Sequence, residues 1–383
     1  MNFELSEEHK KIKNLARDFA EKVIKPKAKE LDEKEEFSVE ITKQMADMGF
    51  LGITVPEKYG GLGLDYLSYI LIVEELARID GSQAATIAAH NSLGTGPIIH
   101  FGTEEQKEKY LPKICSGYLW AFGLTEPNAG SDSRGTKTTA KEVEKGYILN
   151  GQKTFITNGD TPITLGITVQ AIVQHNEKKE YTCFLVEKDT KGLTTRTMRG
   201  KLMWRASNTS ELFFDDCFVP SNNVLGKIGE GSKIMLSTLD SGRLSIAAMG
   251  LGCAQGAFEL ALEYSKKREQ FGKPIGNFQA ISFKLADMAL KIELARNLLY
   301  KACWLKDNHK PFSKEAAMAK LYCSEIAGEI TNDAVQIFGG YGLMKEYDIE
   351  RFYRDQRLLQ IGEGTSEIQR IVIARHLGLN PIF

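Results

Sequence analysis

The sequence lacks a cysteine pair at C-x-x-C spacing, has little histidine and carries almost no net charge. Its six cysteines, Cys115, Cys183, Cys217, Cys253, Cys303 and Cys323, are scattered over 383 residues. That usage excludes a disulfide scaffold or zinc ribbon and reads as buried, reduced thiols of a cytoplasmic protein. The six histidines form no ligand pair at helical spacing, so no metal site is expected. Lys and Arg (49) offset Asp and Glu (50), for a net charge of −1, which excludes the basic footprint of a nucleic-acid binder. No window reads as an uninterrupted membrane span. The most apolar region, "LSIAAMGLGCAQGAFELAL", is broken by small and polar residues, as in a closely packed core helix. The opening "MNFELSEEHKK" has acids where an export leader has an apolar core. Several catalytic signatures are also missing: G-x-x-x-x-G-K-[ST], H-E-x-x-H and G-x-S-x-G. "GLGCAQG" at 250–256 approaches a dinucleotide fingerprint, but no strand precedes it, and small residues at a helix contact explain it better. "YGGLGLD" is a loop, and the mixed-sign run "EKVIKPKAKELDEKEE" a solvated helix face.

What is present is an average globular composition, 42% apolar and 26% charged, on a chain of 383 residues, a length that suggests two or three domains or one large composite core. Apolar residues at Ile12, Leu15, Ala16, Phe19, Ala20 and Val23 follow a helical period. Helical patterning continues through "VEITKQMADMGF", "LDYLSYILIVEELARID" and "GTEEQKEKYLPKICSG". Near Trp120 the texture changes to short β-branched and aromatic runs, "GYILNGQKTFITNG", "ITLGITVQAIVQ", "YTCFLVEK" and "TSELFFDDCFVP", the pattern of antiparallel strands in a sandwich or barrel. After "GKIGEG" long helical segments return, such as "FQAISFKLADMALKIELARNLLYKACWLK". The expected class is α+β and multidomain: a helical domain over 1–118, a β domain over 119–228 and a helical bundle over 229–383.

Four segments carry candidate chemistry. "AFGLTEPNAGSDSRGTKTTA" gathers Thr125, Asn128, Gly130 and Ser131 in a loop suited to a phosphate or heterocycle edge, although turn-building explains it equally well. "KTFITNG" puts Phe155 and Thr157 on one side of a strand, either an aromatic wall or a cross-strand packing pair. "SKKREQFGKPIGNFQAI" sets Arg268, Gln270 and Gln279 around a Gly-Pro turn between helices. The last is "IGEGTSEIQRIVIARHLG". Ser366 with Gln369 suggests a capping box, Ile368, Ile371 and Val372 an apolar face, and Arg375 and His376 a basic last turn. Helix formation does not call for Glu363, an acid held between Gly362 and Gly364.

Together and in this order, "LTEPNAGSD", "SRGTKTTA", "FITNG", "KREQFGKPI", "FQAI", "QIFGGYG" and "GEGTSEIQR" resemble the acyl-CoA dehydrogenase family across nearly the whole chain. The resemblance implies the same helical–β–helical plan, a homotetramer, FAD as cofactor, and oxidation of an acyl-CoA thioester between its α and β carbons within fatty acid β-oxidation. It makes Glu363 the catalytic base that removes the α-proton, with hydride passing to flavin N5 and electrons to an electron-transferring flavoprotein. A branch of the family places its base on the helix matching "LDSGRLSIAA", where this chain has Gly242, so no second acid competes. By the same resemblance Phe122, Leu124, Thr125, Gly130, Ser131, Phe155, Ile156 and Thr157 line the flavin. Arg268, Gln270, Phe271 and Gln279 reach FAD from a neighbouring subunit. Gln336, Ile337 and Gly340, with Thr365 and Glu367, complete that site. Ser131, Asp240, Gly242 and Arg243 are assigned to the CoA substrate and Gly364 to the thioester. "AAHNSLG" at 88–94 resembles short-chain members and suggests a short acyl chain. Gly362, where many members carry an aromatic residue, and "KLMWRASNTSEL", where many read "KLG", leave an alicyclic, branched or dicarboxylic acyl-CoA open. A non-dehydrogenase flavoprotein on the same fold is the other alternative.

Overall fold

The computed structural model describes residues 4–175 and 178–381. Helix α1 (Glu7–Phe19) runs through a π-helical stretch, Ala20–Ile24, into α2 (Lys25–Lys34); α3 (Val39–Asp47), α4 (Tyr66–Ala77) and α5 (Gly81–Ala88) follow. A second π-helical stretch, Ala89–Thr95, leads into α6 (Gly96–Phe101) and α7 (Glu104–Cys115). Short polar side chains start these helices. Ser6, Ser38, Asp65, Asp80 and Thr103 each accept a hydrogen bond from the backbone N–H three residues on, and Thr103 with Gln106 forms a capping box.

The strands are β1 (Leu119–Gly123), β2 (Thr139–Val143), β3 (Gly146–Thr157), β4 (Thr164–His175), β5 (Lys178–Glu187), β6 (Leu193–Thr197), β7 (Thr209–Pro220) and β8 (Val224–Leu225). They form one eight-stranded sheet in the order β6-β7-β3-β2-β4-β5-β8, with β1 also on β4. The pairings are antiparallel except β1 with β4 and β2 with β4, which are parallel. β1, β2, β6 and β8 are too short for an alternating pattern to announce them.

The helices resume with α8 (Gly231–Lys267), a two-strand ribbon (Glu269–Gln270 with Lys273–Pro274), α9 (Gln279–Asp307), α10 (Ser313–Phe338), α11 (Ile349–Asp355) and α12 (Ser366–His376). α8 is long and apolar enough to cross a membrane by composition, but most of its apolar window is buried inside the fold, in line with the core-helix reading. "GLGCAQG" lies in α8 and does mark helix contacts. A methyl group at Gly252 or Gly256 would fall 2.3 Å from the Glu74 carbonyl oxygen or 2.1 Å from that of Arg78. The helices before and after the sheet share one core in which α4, α8, α9 and α10 meet, while the sheet has its own core around Leu149, Val169, Phe184 and Leu212. The run taken for a solvated face is only partly so, because Asp32 is buried against Arg354 at 2.7 Å. Five cysteines are buried, Cys115 is half-buried, and all six are free thiols.

Candidate active site

Glu363 sits in a turn built by the residues around it. The chain leaves a 3₁₀ segment (Gln356–Gln360), where the Leu358 carbonyl accepts from the N–H groups of both Ile361 and Gly362 at 2.8 Å. Glu363 then adopts φ +53° and Gly364 φ +95°. Left-handed backbone disfavours a residue with a side chain by about 1–2 kcal/mol, so this conformation is held by its surroundings. Thr365, not Ser366, caps α12, accepting from the Ile368 N–H. The reversal at Gly364 leaves Thr365 extended, so the helix begins one residue earlier than a cap at Ser366 would imply. Ser366 instead donates to Glu325 at 2.6 Å.

The turn aims the Glu363 carboxylate at α8. A methyl group at Gly242 would lie 1.9 Å from Glu363 Oε2 and 2.8 Å from Leu93 Cδ2, so only glycine admits the acid. Oε2 is buried and has no hydrogen-bond partner among the described residues. Burial pushes the Glu363 carboxyl up to about 7, opposed by the charges of Lys320 and Arg243. The turn's carbonyls are tied elsewhere. Gly364 O accepts from Lys320 Nζ at 2.7 Å and from Gln369 Nε2 at 2.8 Å.

On α8, buried Arg243 pairs with Asp240, which also accepts from Ser313 Oγ at 3.0 Å. Tyr66 donates to the Ser241 carbonyl at 2.7 Å, and Lys306 to Ser241 Oγ at 2.8 Å. Tyr69 donates to the Ala88 carbonyl at 2.8 Å. Burial pushes both phenols up, so they stay neutral. The π-helical stretch 89–95 brings Ser92 within 3.2 Å of Ser245 and Leu93 to the glycine facing Glu363. Wide helical turns of this kind concentrate at functional sites.

A second group lies on the sheet. Phe122, Leu124 and Thr125 are half-buried at the end of β1, and the Thr125 carbonyl accepts from the Thr154 N–H at 2.9 Å. Gly130 and Ser131 are exposed in the following loop. A bulge in β3, where pairing skips between Lys153 and Ile156, puts Phe155 at φ +58° and leaves it 65% exposed. Ile156 points the other way into the sheet core, so only its backbone is available on the outer side. Thr157 is half-buried. Beneath, the Glu126–Lys153 ion pair is fully buried at 2.7 Å. Glu126 also accepts from the Lys137 and Thr138 N–H groups at 2.7 and 3.1 Å, pinning the loop that carries Gly130 and Ser131.

The third group sits beyond the far end of α8. Arg268, Gln270, Ile337 and Gly340 line a surface cleft of about 440 Å³ with Tyr264, Phe338 and Tyr341. Arg268 lies over the Tyr341 ring at 5.6 Å, and Phe271 beside it is 93% exposed. Gln279, Gln336 and Glu367 are exposed, and Thr365 is half-buried. Thus Glu363, Gly364, Gly242, Arg243 and Asp240 come together, as do the sheet residues, while the Arg268 group stands apart. Gly242 and Arg268 are separated by roughly 39 Å along α8 at the usual helical rise. No group of His, Cys, Asp or Glu among the described residues could hold a metal.

Sequence reasoning passed over Lys320, the Glu126–Lys153 pair and Tyr66. Lys320 did carry a signal: a lone charge on a stripe with Ala316, Cys323, Ser324 and Ala327, all buried. The Glu126–Lys153 pair had none, since the partners are far apart in sequence.

Family models match three consecutive parts of the chain: acyl-CoA dehydrogenase N-terminal domain at residues 6–118, middle domain at 121–217 and C-terminal domain at 229–378. The chain is 49% identical over 378 residues to the probable acyl-CoA dehydrogenase YngJ of Bacillus subtilis, covering 98% of this chain and 100% of the relative. It is 44% identical to the short-chain specific acyl-CoA dehydrogenase of Clostridium acetobutylicum, covering 98% and 99%. Its fold is similar to that of butyryl-CoA dehydrogenase from Megasphaera elsdenii (TM-score 0.96, 45% identity, 99% and 100% covered). A chain from work on the electron transferring flavoprotein of Acidaminococcus fermentans is equally similar (TM-score 0.96, 47% identity, 99% and 100% covered). The domain matches, the relatives and the three-part fold agree: the chain belongs to the acyl-CoA dehydrogenase family.

Proposed function

We propose that the protein is an FAD-dependent dehydrogenase of short-chain acyl-CoA thioesters in fatty acid β-oxidation, with Glu363 as the base that removes the α-proton. The observation that carries this reading is the Glu363 carboxylate: buried, with Oε2 free of hydrogen bonds, and held near 7 rather than in the usual carboxylate range. A thioester α-proton is weakly acidic, so a base needs a raised pKa and a fixed position beside it. Gly242 and the Glu363–Gly364 turn supply the position. Arg243 and Asp240 would orient the CoA portion, and Gly364 would lie against the thioester.

The residues present fit FAD. Phe155 offers a bare aromatic face beside Thr125 and Thr157, and the Arg268 cleft offers a cation and glycines for close backbone approach. FAD, when bound, supplies the acceptor for the β-hydrogen. Phe122, Leu124, Thr125, Gly130, Ser131, Phe155, Ile156 (through its backbone) and Thr157 would hold one end. Arg268, Gln270, Phe271, Gln279, Gln336, Ile337 and Gly340, with Thr365 and Glu367, would hold the other. The Arg268 group stands far along α8 from Gly242, which supports a site completed by a neighbouring subunit's Arg268, and we take the assembly to be a homotetramer. We assign residues 1–118, 119–228 and 229–383 to the three domains, an electron-transferring flavoprotein as acceptor, and a cytoplasmic location.

A second substrate reading has its own support. Gly362 has no left-handed φ, and a methyl group there would meet only Leu358, no closer than 3.5 Å. The backbone therefore does not require glycine, and the lack at Gly362 of the aromatic side chain that many family members carry suits a branched, alicyclic or dicarboxylic acyl group. Turnover of a panel of acyl-CoAs with a dye acceptor separates the readings. The purified protein should be yellow with stoichiometric FAD and prefer short straight chains. Preference for branched or cyclic chains would favour the second reading, and a colourless protein inert toward every thioester would overturn the proposal.

A further inference from the structure

Lys320 is a fully buried lysine on the face of α10 that enters the helical core, flanked by buried Ala316, Ala317, Ala319 and Cys323. An ammonium group loses much hydration there, so its position needs a compensating role. Among the described residues it makes no ion pair. Its bond is to a carbonyl, Gly364 O at 2.7 Å. Gln369 donates to the same oxygen, and at 3.4 Å to Glu363 O. Both carbonyls of the turn are thereby drawn toward α10 and α12, while the Glu363 side chain faces Gly242 on α8.

The charged and titratable groups facing this space are few. Arg243 stands on α8, Glu325 on α10, Glu367 on α12, and the phenols of Tyr66 and Tyr69 on α4. Arg243 is engaged by Asp240. Lys320 is the positive charge behind the base that no carboxylate neutralises by contact.

We propose that Lys320 is a positioning residue for proton abstraction: it clamps the Gly364 carbonyl to hold Glu363 in its left-handed turn, and its charge keeps the buried carboxylate ionised. The inference rests on Glu363 being the base. In the step itself the substrate Cα–H bond breaks, an O–H bond forms on Glu363, and the electron pair stays on the substrate as an enolate. Lys320 keeps its proton throughout. Two electrostatic directions agree with this: burial pushes Lys320 down to about 8, and Lys320 is the largest influence opposing the rise at Glu363.

The test is solvent deuterium exchange at the α carbon of a bound 3-thiaacyl-CoA, which keeps α-protons but has sulfur in place of the β carbon. Exchange is followed by mass spectrometry against pH in the FAD-loaded enzyme. Lys320→Met removes the charge and the clamp, Lys320→Gln removes the charge but keeps a donor, and Lys320→Arg keeps both. The exchange midpoint should move up by about one pH unit in the Met and Gln variants and stay near the parent value in the Arg variant. Exchange at pH 7 should fall about fivefold for Gln and further for Met. An unchanged midpoint in folded Met and Gln variants would reduce Lys320 to a structural role and overturn the proposal, as would failure of both to retain FAD. Glu363→Gln in the same series separates the two layers. If it exchanges like the parent, the base assignment fails and this inference falls with it. If it is silent while the Lys320 variants keep the parent midpoint, only the Lys320 inference fails.

Discussion

Gly242 faces the Glu363 carboxylate and Gly362 precedes Glu363 in the chain, and the two differ in why they are glycine. A methyl group at 242 overlaps Oε2 at 1.9 Å, whereas one at 362 meets Leu358 at ordinary contact distance. Gly242→Ala should therefore push the carboxylate out of line and lower the rate of α-proton removal, with an overpacking cost of about 1–3 kcal/mol. Gly362→Ala should leave stability within about 0.5 kcal/mol of the parent. Thermal unfolding together with stopped-flow flavin reduction measures both. Equal effects from the two substitutions would mean that the carboxylate does not rest on Gly242.

At the scale of elements, the loop of residues 126–137 depends on one buried charge pair. Lys153 on β3 meets Glu126 at 2.7 Å with both side chains out of solvent, and Thr138 Oγ1 adds a 2.6 Å bond to the same carboxylate oxygen. Removing one partner strands a buried charge, so Lys153→Met should cost about 3–5 kcal/mol, and adding Glu126→Gln should recover part of it. A thermal-melt double-mutant cycle gives the coupling; additive losses would contradict the account. Much of the helical architecture was legible in sequence because α4, α8, α9 and α10 repeat apolar residues over many turns. The long strands β3, β4, β5 and β7 were legible by their β-branched runs. The parallel pairings of β1 and β2 were not, because five residues carry too little pattern and a partner strand leaves no local trace. Glu363 stood out because glycines flanked a carboxylate that α12 does not need. Gly242 was placed beside it by the family resemblance alone, and Lys320 was missed because it reaches the turn from a helix distant in sequence.

Across the whole molecule, α2, α5, α11 and the β6–β7 connection meet at a buried charge cluster. Arg351 pairs with Asp80 at 2.6 Å, Arg354 with Asp32 at 2.7 Å, and the Trp204 N–H donates to Asp355 at 2.8 Å. Burial, followed by the charge of Asp80, pushes Asp355 up to about 7. A carboxyl whose folded pKa lies above its unfolded one stabilises the fold below the unfolded value, and that stability is lost as pH rises through the folded one. Asp355 should thus withdraw stability between about pH 4 and 7. Asp355→Asn, which keeps an acceptor for Trp204, should flatten that dependence and leave the protein no less stable at pH 8. Melting temperatures measured against pH decide it, and an unchanged slope would contradict the assignment.

The central claim, that Glu363 is the base, is tested most directly by anaerobic mixing of the FAD-loaded Glu363→Gln enzyme with its best acyl-CoA while flavin bleaching is recorded. The substitution keeps the side-chain shape, so the fold, the yellow colour and thioester binding should persist. Bleaching should slow by about 10²–10⁴-fold or more. Glu367→Gln, exposed one helical turn on, should disturb flavin retention more than bleaching. If Glu363→Gln bleaches as fast as the parent enzyme, Glu363 is not the base.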